Sequence, residues 1–80
     1  MQISNEELDI KLEKILKKVF KIQKINLESS IEDISEWDSF AHFQLMDELE
    51  SEFKIEIEPN DVIIMTSIPI IKKKIMNYLS

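Results

Sequence analysis

Eighty residues carry a net charge of −6 and contain neither cysteine nor glycine. That length fits one domain, 1–80, with too small a core for an elaborate catalytic cleft, and the missing cysteines exclude disulfides and thiolate metal sites. The missing glycines exclude a P-loop, a dinucleotide fingerprint and an EF-hand loop, all of which need glycine at a sharp turn or a close backbone approach.

From the N-terminus, MQISNEELD is polar and acidic, unlike a secretory signal. Ser4 and Glu7 have the spacing of a capping box, in which the serine caps the first turn and the glutamate bonds back. Leu8, Leu12, Ile15, Leu16 and Val19 follow on one helical stripe, which predicts a first helix over residues 5–20. Residues 21–37 have no clean period. Their isoleucines, interrupted by Asn26, Ser29 and Ser30, predict a long loop that packs onto the core and ends at a core Trp37.

The next helix is predicted over residues 39–53, with Phe40, Phe43, Met46, Leu49 and Phe53 as its apolar stripe and Asp47, Glu48, Glu50 and Glu52 on the other side. Glu48 and Glu52 repel each other across one turn, an arrangement that isolated helix stability would not select. Without glycine the helix must end on another residue in the left-handed region, and Lys54 is the expected one, at roughly 1–2 kcal/mol. The segment IEI at 55–57 alternates like a strand but is too short to make a sheet. A short helical turn over 60–65 is expected, capped by Asn60, and then a last helix capped by Ser67 with Pro69 in its first turn. Ile68, Ile71, Ile75 and Leu79 would form its inner face. The expected fold class is all-α: a small bundle of three main helices plus one short helix, with a long ordered loop between the first two.

Charge is concentrated in the middle, where residues 28–61 hold twelve acids against Lys54 alone. Such a surface argues against nucleic acid as a partner and favours basic protein surfaces, although a solvated face that keeps the chain soluble has the same composition. The longest apolar stretch, residues 62–71, is interrupted by Thr66, Ser67 and Pro69 and falls short of a membrane span of about 20 residues. A cytoplasmic monomer without a membrane span is the expectation.

The only histidine, His42, lies three residues after Ser39. One Ser–His pair on a helix, with neither oxyanion hole nor pocket, makes a poor nucleophilic site, and one histidine among scattered carboxylates lacks metal-ligand spacing. No catalysis and no metal site are expected. Ser39 itself admits two readings. Either it or Asp38 caps the helix. Alternatively Ser39 is an attachment point, since the free N–H groups of a helix start stabilise a phosphate ester.

The stretch SIEDISEWDSFAHFQLMDELESEFKIEIEPND resembles the acyl carrier proteins and related carrier domains. The resemblance lies in Asp38-Ser39-Phe40 against the family's Asp-Ser-Leu, in the long first loop, in the acidic helix ending at Leu49-Glu50-Ser51-Glu52-Phe53, and in the short Ile55-Glu56-Ile57. The WDS form, with His42 three residues on, is similar to discrete carriers of biosynthetic clusters. The resemblance implies that Ser39 carries a covalent 4'-phosphopantetheine, attached by a phosphopantetheinyl transferase with assistance from Asp38. It implies that the arm holds acyl groups as thioesters for acyl-activating or acyl-transferring enzymes, which dock on Gln44, Asp47, Glu48 and Glu50. In some relatives the cargo enters the bundle, and Phe40, Phe43, Met46, Ile64 and Ile71 are the expected lining. Phe40 departs from the family's leucine, and Ala41 and Gln44 replace residues that are often acidic in fatty-acid carriers. Phe40 should still anchor the helix, whereas the altered charge pattern points away from fatty-acid synthase partners and toward a specialised pathway. An aminoacyl or peptidyl carrier is the close alternative, and an unmodified acidic interaction module is the alternative from another class.

Overall fold

In the computed structural model, which describes residues 3–80, the chain enters its first helix at Ser4. The Ser4 hydroxyl accepts from the Glu7 backbone N–H at 3.1 Å and donates to the Glu7 carboxylate at 3.3 Å, a variant of the capping box in which the glutamate bonds the hydroxyl. The helix, α1, spans Asn5–Phe20 and α2 spans Ser39–Phe53, both with the predicted bounds. A short α3, Pro59–Ile64, and α4, Ile68–Leu79, complete an all-α fold with no strand among the described residues. None of these helices is long and apolar enough to cross a membrane.

The core forms where α1 leucines meet α2 and α4. Leu8, Leu12 and Leu16 of α1, Leu45 and Leu49 of α2, and Ile68, Ile71 and Ile75 of α4 are fully inaccessible, together with Met65. Leu79, expected on the inner face, is half-buried at the end of α4. The long loop behaves as predicted. Ile34 and Trp37 are buried, Ile22, Ile25, Leu27 and Ile31 pack against the core, and the Trp37 ring lies 5.3 Å from that of Phe20. Ile31 N–H donates to Thr66 carbonyl and Ile68 N–H to Ser29 carbonyl, at 2.8 and 2.9 Å, so the loop is stitched to the α3–α4 link.

The apolar stripe predicted for α2 is corrected by the structure. Phe40 and Phe43 are 74% and 66% exposed, and Ala41, Leu45, Met46, Leu49 and Phe53 are the buried residues. The phase of the helix follows the i, i+4 row 41–45–49–53, and the loop delivers Ile34 and Trp37 to the same core. The start of α3 also differs. Pro59 occupies the first turn, Glu58 is the cap position without a side-chain bond, and Asn60 lies inside the helix. Proline needs no N–H partner there, which favours it at that place. Lys54 adopts the left-handed conformation with φ 56°, as predicted, and Lys21 does the same after α1 with φ 57°.

The repulsion between Glu48 and Glu52 is relieved inside the molecule. Lys18 of α1 reaches Glu48 at 2.9 Å and Lys11 reaches Glu52 at 2.8 Å. These exposed pairs orient α1 against α2 more than they stabilise the fold.

Tyr78 fastens α3 to α4. Its hydroxyl accepts from Glu58 N–H at 3.0 Å and donates to Asp61, which also pairs with Lys74 at 3.1 Å. The Tyr78 hydroxyl, and then the Lys74 ammonium, hold the Asp61 carboxyl below its ordinary value of 3.8. A depressed carboxyl contributes stability that is complete above its unfolded value and is lost as pH falls through the lower folded value. Acidification below about pH 3.8 is therefore expected to loosen α3 from α4, read from the Asp61 carboxyl shift and the α3 amide signals. Tyr78→Phe should remove most of that pH dependence.

Candidate functional site

The loop reaches α2 through Trp37 and Asp38. Asp38 is extended, at φ −103° and ψ −175°, and its Oδ1 accepts from Ala41 N–H at 2.8 Å. Asp38 is thus the cap, and Ser39 is the first residue of the helix. Of the two cap candidates in the sequence, the structure uses the aspartate. Ser39 is exposed, and its hydroxyl makes no hydrogen bond among the described residues. It stands where the unpaired N–H groups and the positive end of the helix dipole favour negative charge.

Beside Ser39 lies an open groove of about 470 Å³, bounded on one side by Trp37, His42 and Phe43 and on the other by Val62, Ile63 and Thr66. Ile63, 72% exposed, and Phe43, 66% exposed, give this groove an apolar border near the serine. Of the residues expected to line a cargo site, only Phe43 borders this groove. Phe40 and Ile64 are exposed, while Met46 and Ile71 belong to the packed core.

His42 is half-buried and held on both sides. The Trp37 indole Nε1–H donates to its Nδ1 at 3.0 Å, and its Nε2 lies 2.7 Å from the Val62 carbonyl oxygen. An indole nitrogen only donates and a carbonyl only accepts, so the ring hydrogen belongs on Nε2. Neither ring nitrogen is left to take the Ser39 proton, which leaves this pair without the geometry of a nucleophile and its base. The sequence brings Trp37 and His42 five residues apart, but nothing in it marks the Val62 carbonyl as their third partner.

The four expected docking residues separate into two kinds. Gln44 and Asp47 are exposed, with no side-chain partner among the described residues. Glu48 is paired with Lys18. Glu50 accepts from the Ile57 backbone N–H at 2.8 Å, and so anchors the IEI segment, whose Ile57 is buried. No family model, curated protein or solved structure matches the chain.

Proposed function

We propose that the protein is an acyl carrier, with Ser39 as the point of attachment of a phosphopantetheine arm. The observation that carries this reading is the division of labour at the start of α2. Asp38 does the capping, which leaves the Ser39 hydroxyl free, exposed and fixed on a 15-residue helix. A cap serine would have its oxygen committed to the backbone, whereas this one is available to become a phosphoester oxygen.

The surroundings fit such a group. A phosphodiester at Ser39 Oγ would lie against the unpaired N–H groups of the first turn. The groove beside it offers apolar walls to a slender chain. When bound, the arm supplies a terminal thiol, which a chain without cysteine cannot supply. Asp38 has one carboxylate oxygen on Ala41 N–H, and its other oxygen has no protein partner among the described residues, so it can face the metal of the attaching enzyme. Tethering keeps the cargo at high effective concentration wherever the carrier docks. The chain itself orients the arm and presents it. An aminoacyl cargo would use the same serine.

Intact mass after incubation with coenzyme A, magnesium and a broad-specificity phosphopantetheinyl transferase tests the reading. The expected result is a gain of one phosphopantetheine. No gain on folded protein with more than one transferase overturns it, and the exposed Phe40, Phe43 and Ile63 then favour an unmodified interaction module.

The same incubation tests the docking face. Asp47→Lys is expected to slow association with the transferase about two- to fivefold at low salt and to flatten its salt dependence. Glu50→Lys is a poor probe of docking, because it strands the buried Ile57 N–H at about 1–3 kcal/mol of stability. Unchanged Asp47→Lys kinetics at low salt would place docking elsewhere.

A further inference from the structure

A helix of six residues does not stand by its own propensity, and α3 has no side-chain cap of its own at Glu58. Other elements hold its two ends. At the first end, the Tyr78 hydroxyl from α4 takes the Glu58 N–H. At the other end, the Val62 carbonyl has lost its helical partner, because Thr66 N–H turns back to Ile64 carbonyl at 2.8 Å. His42 Nε2 fills that vacancy at 2.7 Å. Among the described residues it makes the one hydrogen bond between α2 and α3.

The imidazole is itself held. Trp37 is buried, packs on Phe20 and fixes Nδ1 through its indole N–H. A chain of contacts thus runs from the core through Trp37 and His42 to the Val62 carbonyl, and Val62 and Ile63 form the wall of the groove that faces Ser39. The task requires an acceptor and a donor on opposite edges of one small ring. A neutral imidazole meets this requirement, whereas a phenyl ring of similar size offers neither.

We infer that His42 is a positioning residue. It latches the C-terminal end of α3 to the first turn of α2 and so sets the wall of the groove at Ser39. The consequence for attachment rests on the carrier reading, whereas the latch itself does not.

Two measurements on the whole protein test the latch without any modification of Ser39. Long-range ¹H–¹⁵N spectra should show His42 with hydrogen on Nε2 and a bare Nδ1. Hydrogen on Nδ1, or a tautomer average like that of a free imidazole, overturns the latch. In His42→Phe, hydrogen exchange at the C-terminal end of α3, read at the Met65 N–H that bonds the Asp61 carbonyl, should quicken about tenfold, with α1 and α2 protection unchanged, as expected for local opening after the loss of the bond to Val62. Unchanged α3 exchange, or equal loosening of every helix, overturns it. Trp37→Phe keeps an aromatic ring but removes the indole donor, and the Val62 carbonyl alone should still hold the ring hydrogen on Nε2. Loss of the Nε2–H tautomer in that variant would mean that the Val62 bond does not hold the ring, and overturns the latch.

A third measurement tests the link to Ser39. With the transferase, His42→Phe should raise the KM for the protein substrate about tenfold and leave kcat nearly unchanged, and His42→Gln, which can still donate to Val62, should recover part of the loss. Unchanged kinetics in a variant with a loosened α3 overturn the positioning role. Failure of the wild-type protein to be modified removes the carrier reading, while the spectra and the exchange still decide the latch.

Discussion

Ser39→Ala should remain entirely unmodified by the transferase and should keep wild-type stability to within about 0.5 kcal/mol. Capping energy explains the second half. A serine cap is worth about 1 kcal/mol, and from the sequence that cost falls on Ser39 as readily as on its neighbour. The structure assigns it to Asp38, whose Oδ1 holds Ala41 N–H, so alanine at the first helical position removes only a free hydroxyl. Asp38→Ala is the complementary variant. It should lose about 1 kcal/mol and also slow the loading. Intact mass and denaturant midpoints on the two variants separate the roles. Residual loading of Ser39→Ala would move the attachment to another hydroxyl. A stability loss in Ser39→Ala that Asp38→Ala does not show would reverse the cap assignment.

Local chemistry made the long helices legible. Ser4, Glu7 and the leucine row mark α1, and the cap candidates Asp38 and Ser39 with the apolar spacing that runs to Phe53 mark α2, to the residue in both cases. The phase of α2 was less legible. Phe40 and Phe43 satisfy a helical spacing as well as any core residue, and a spacing cannot tell a buried stripe from an exposed rim. The distinction comes from the loop, which brings Ile34 and Trp37 to the core from a segment without periodicity. Long-range ion pairs were likewise hidden. Glu48 and Glu52 look self-repelling in sequence because their lysines lie 30 and 41 residues away on α1. Glu50 looks like one more surface acid, yet it holds a backbone N–H seven residues on. Of the candidate site, Ser39 and Asp38 could be named from the sequence. The His42–Val62 bond could not, because its acceptor is a carbonyl that every residue has.

These corrections change which surface is available to partners. With Glu48, Glu50 and Glu52 paired within the molecule, Asp47 is the acid on α2 without a side-chain partner among the described residues, and the exposed Phe43 lies one turn closer to Ser39. On the proposed carrier reading, recognition near Ser39 would therefore combine few charges with exposed apolar side chains, a balance that favours shape over long-range steering.

Trp37→Ala is expected to be the most damaging single substitution for the fold, at about 3–5 kcal/mol. A domain of this size has roughly 4–12 kcal/mol in total, so the variant would be partly unfolded at room temperature or close to it. Three losses coincide at this position. The largest buried ring is removed, together with its contact with Phe20 at 5.3 Å, and His42 loses the donor at Nδ1. The loop also loses the residue that ties its end to the core, just before the Asp38 cap. Trp37→Phe separates these effects, since it keeps much of the packing and removes the indole donor; it should cost no more than about half as much. Helical circular dichroism through a urea titration is the suitable reading, because the substitutions remove the only tryptophan and with it the fluorescence signal. Equal losses in the two variants would mean that the indole bond to His42, and not the volume of the ring, holds the loop end in place. A loss below about 1 kcal/mol in Trp37→Ala would mean that the loop stays folded without its anchor, and the Ile31–Thr66 and Ile68–Ser29 backbone bonds would then have to fix the geometry at Ser39.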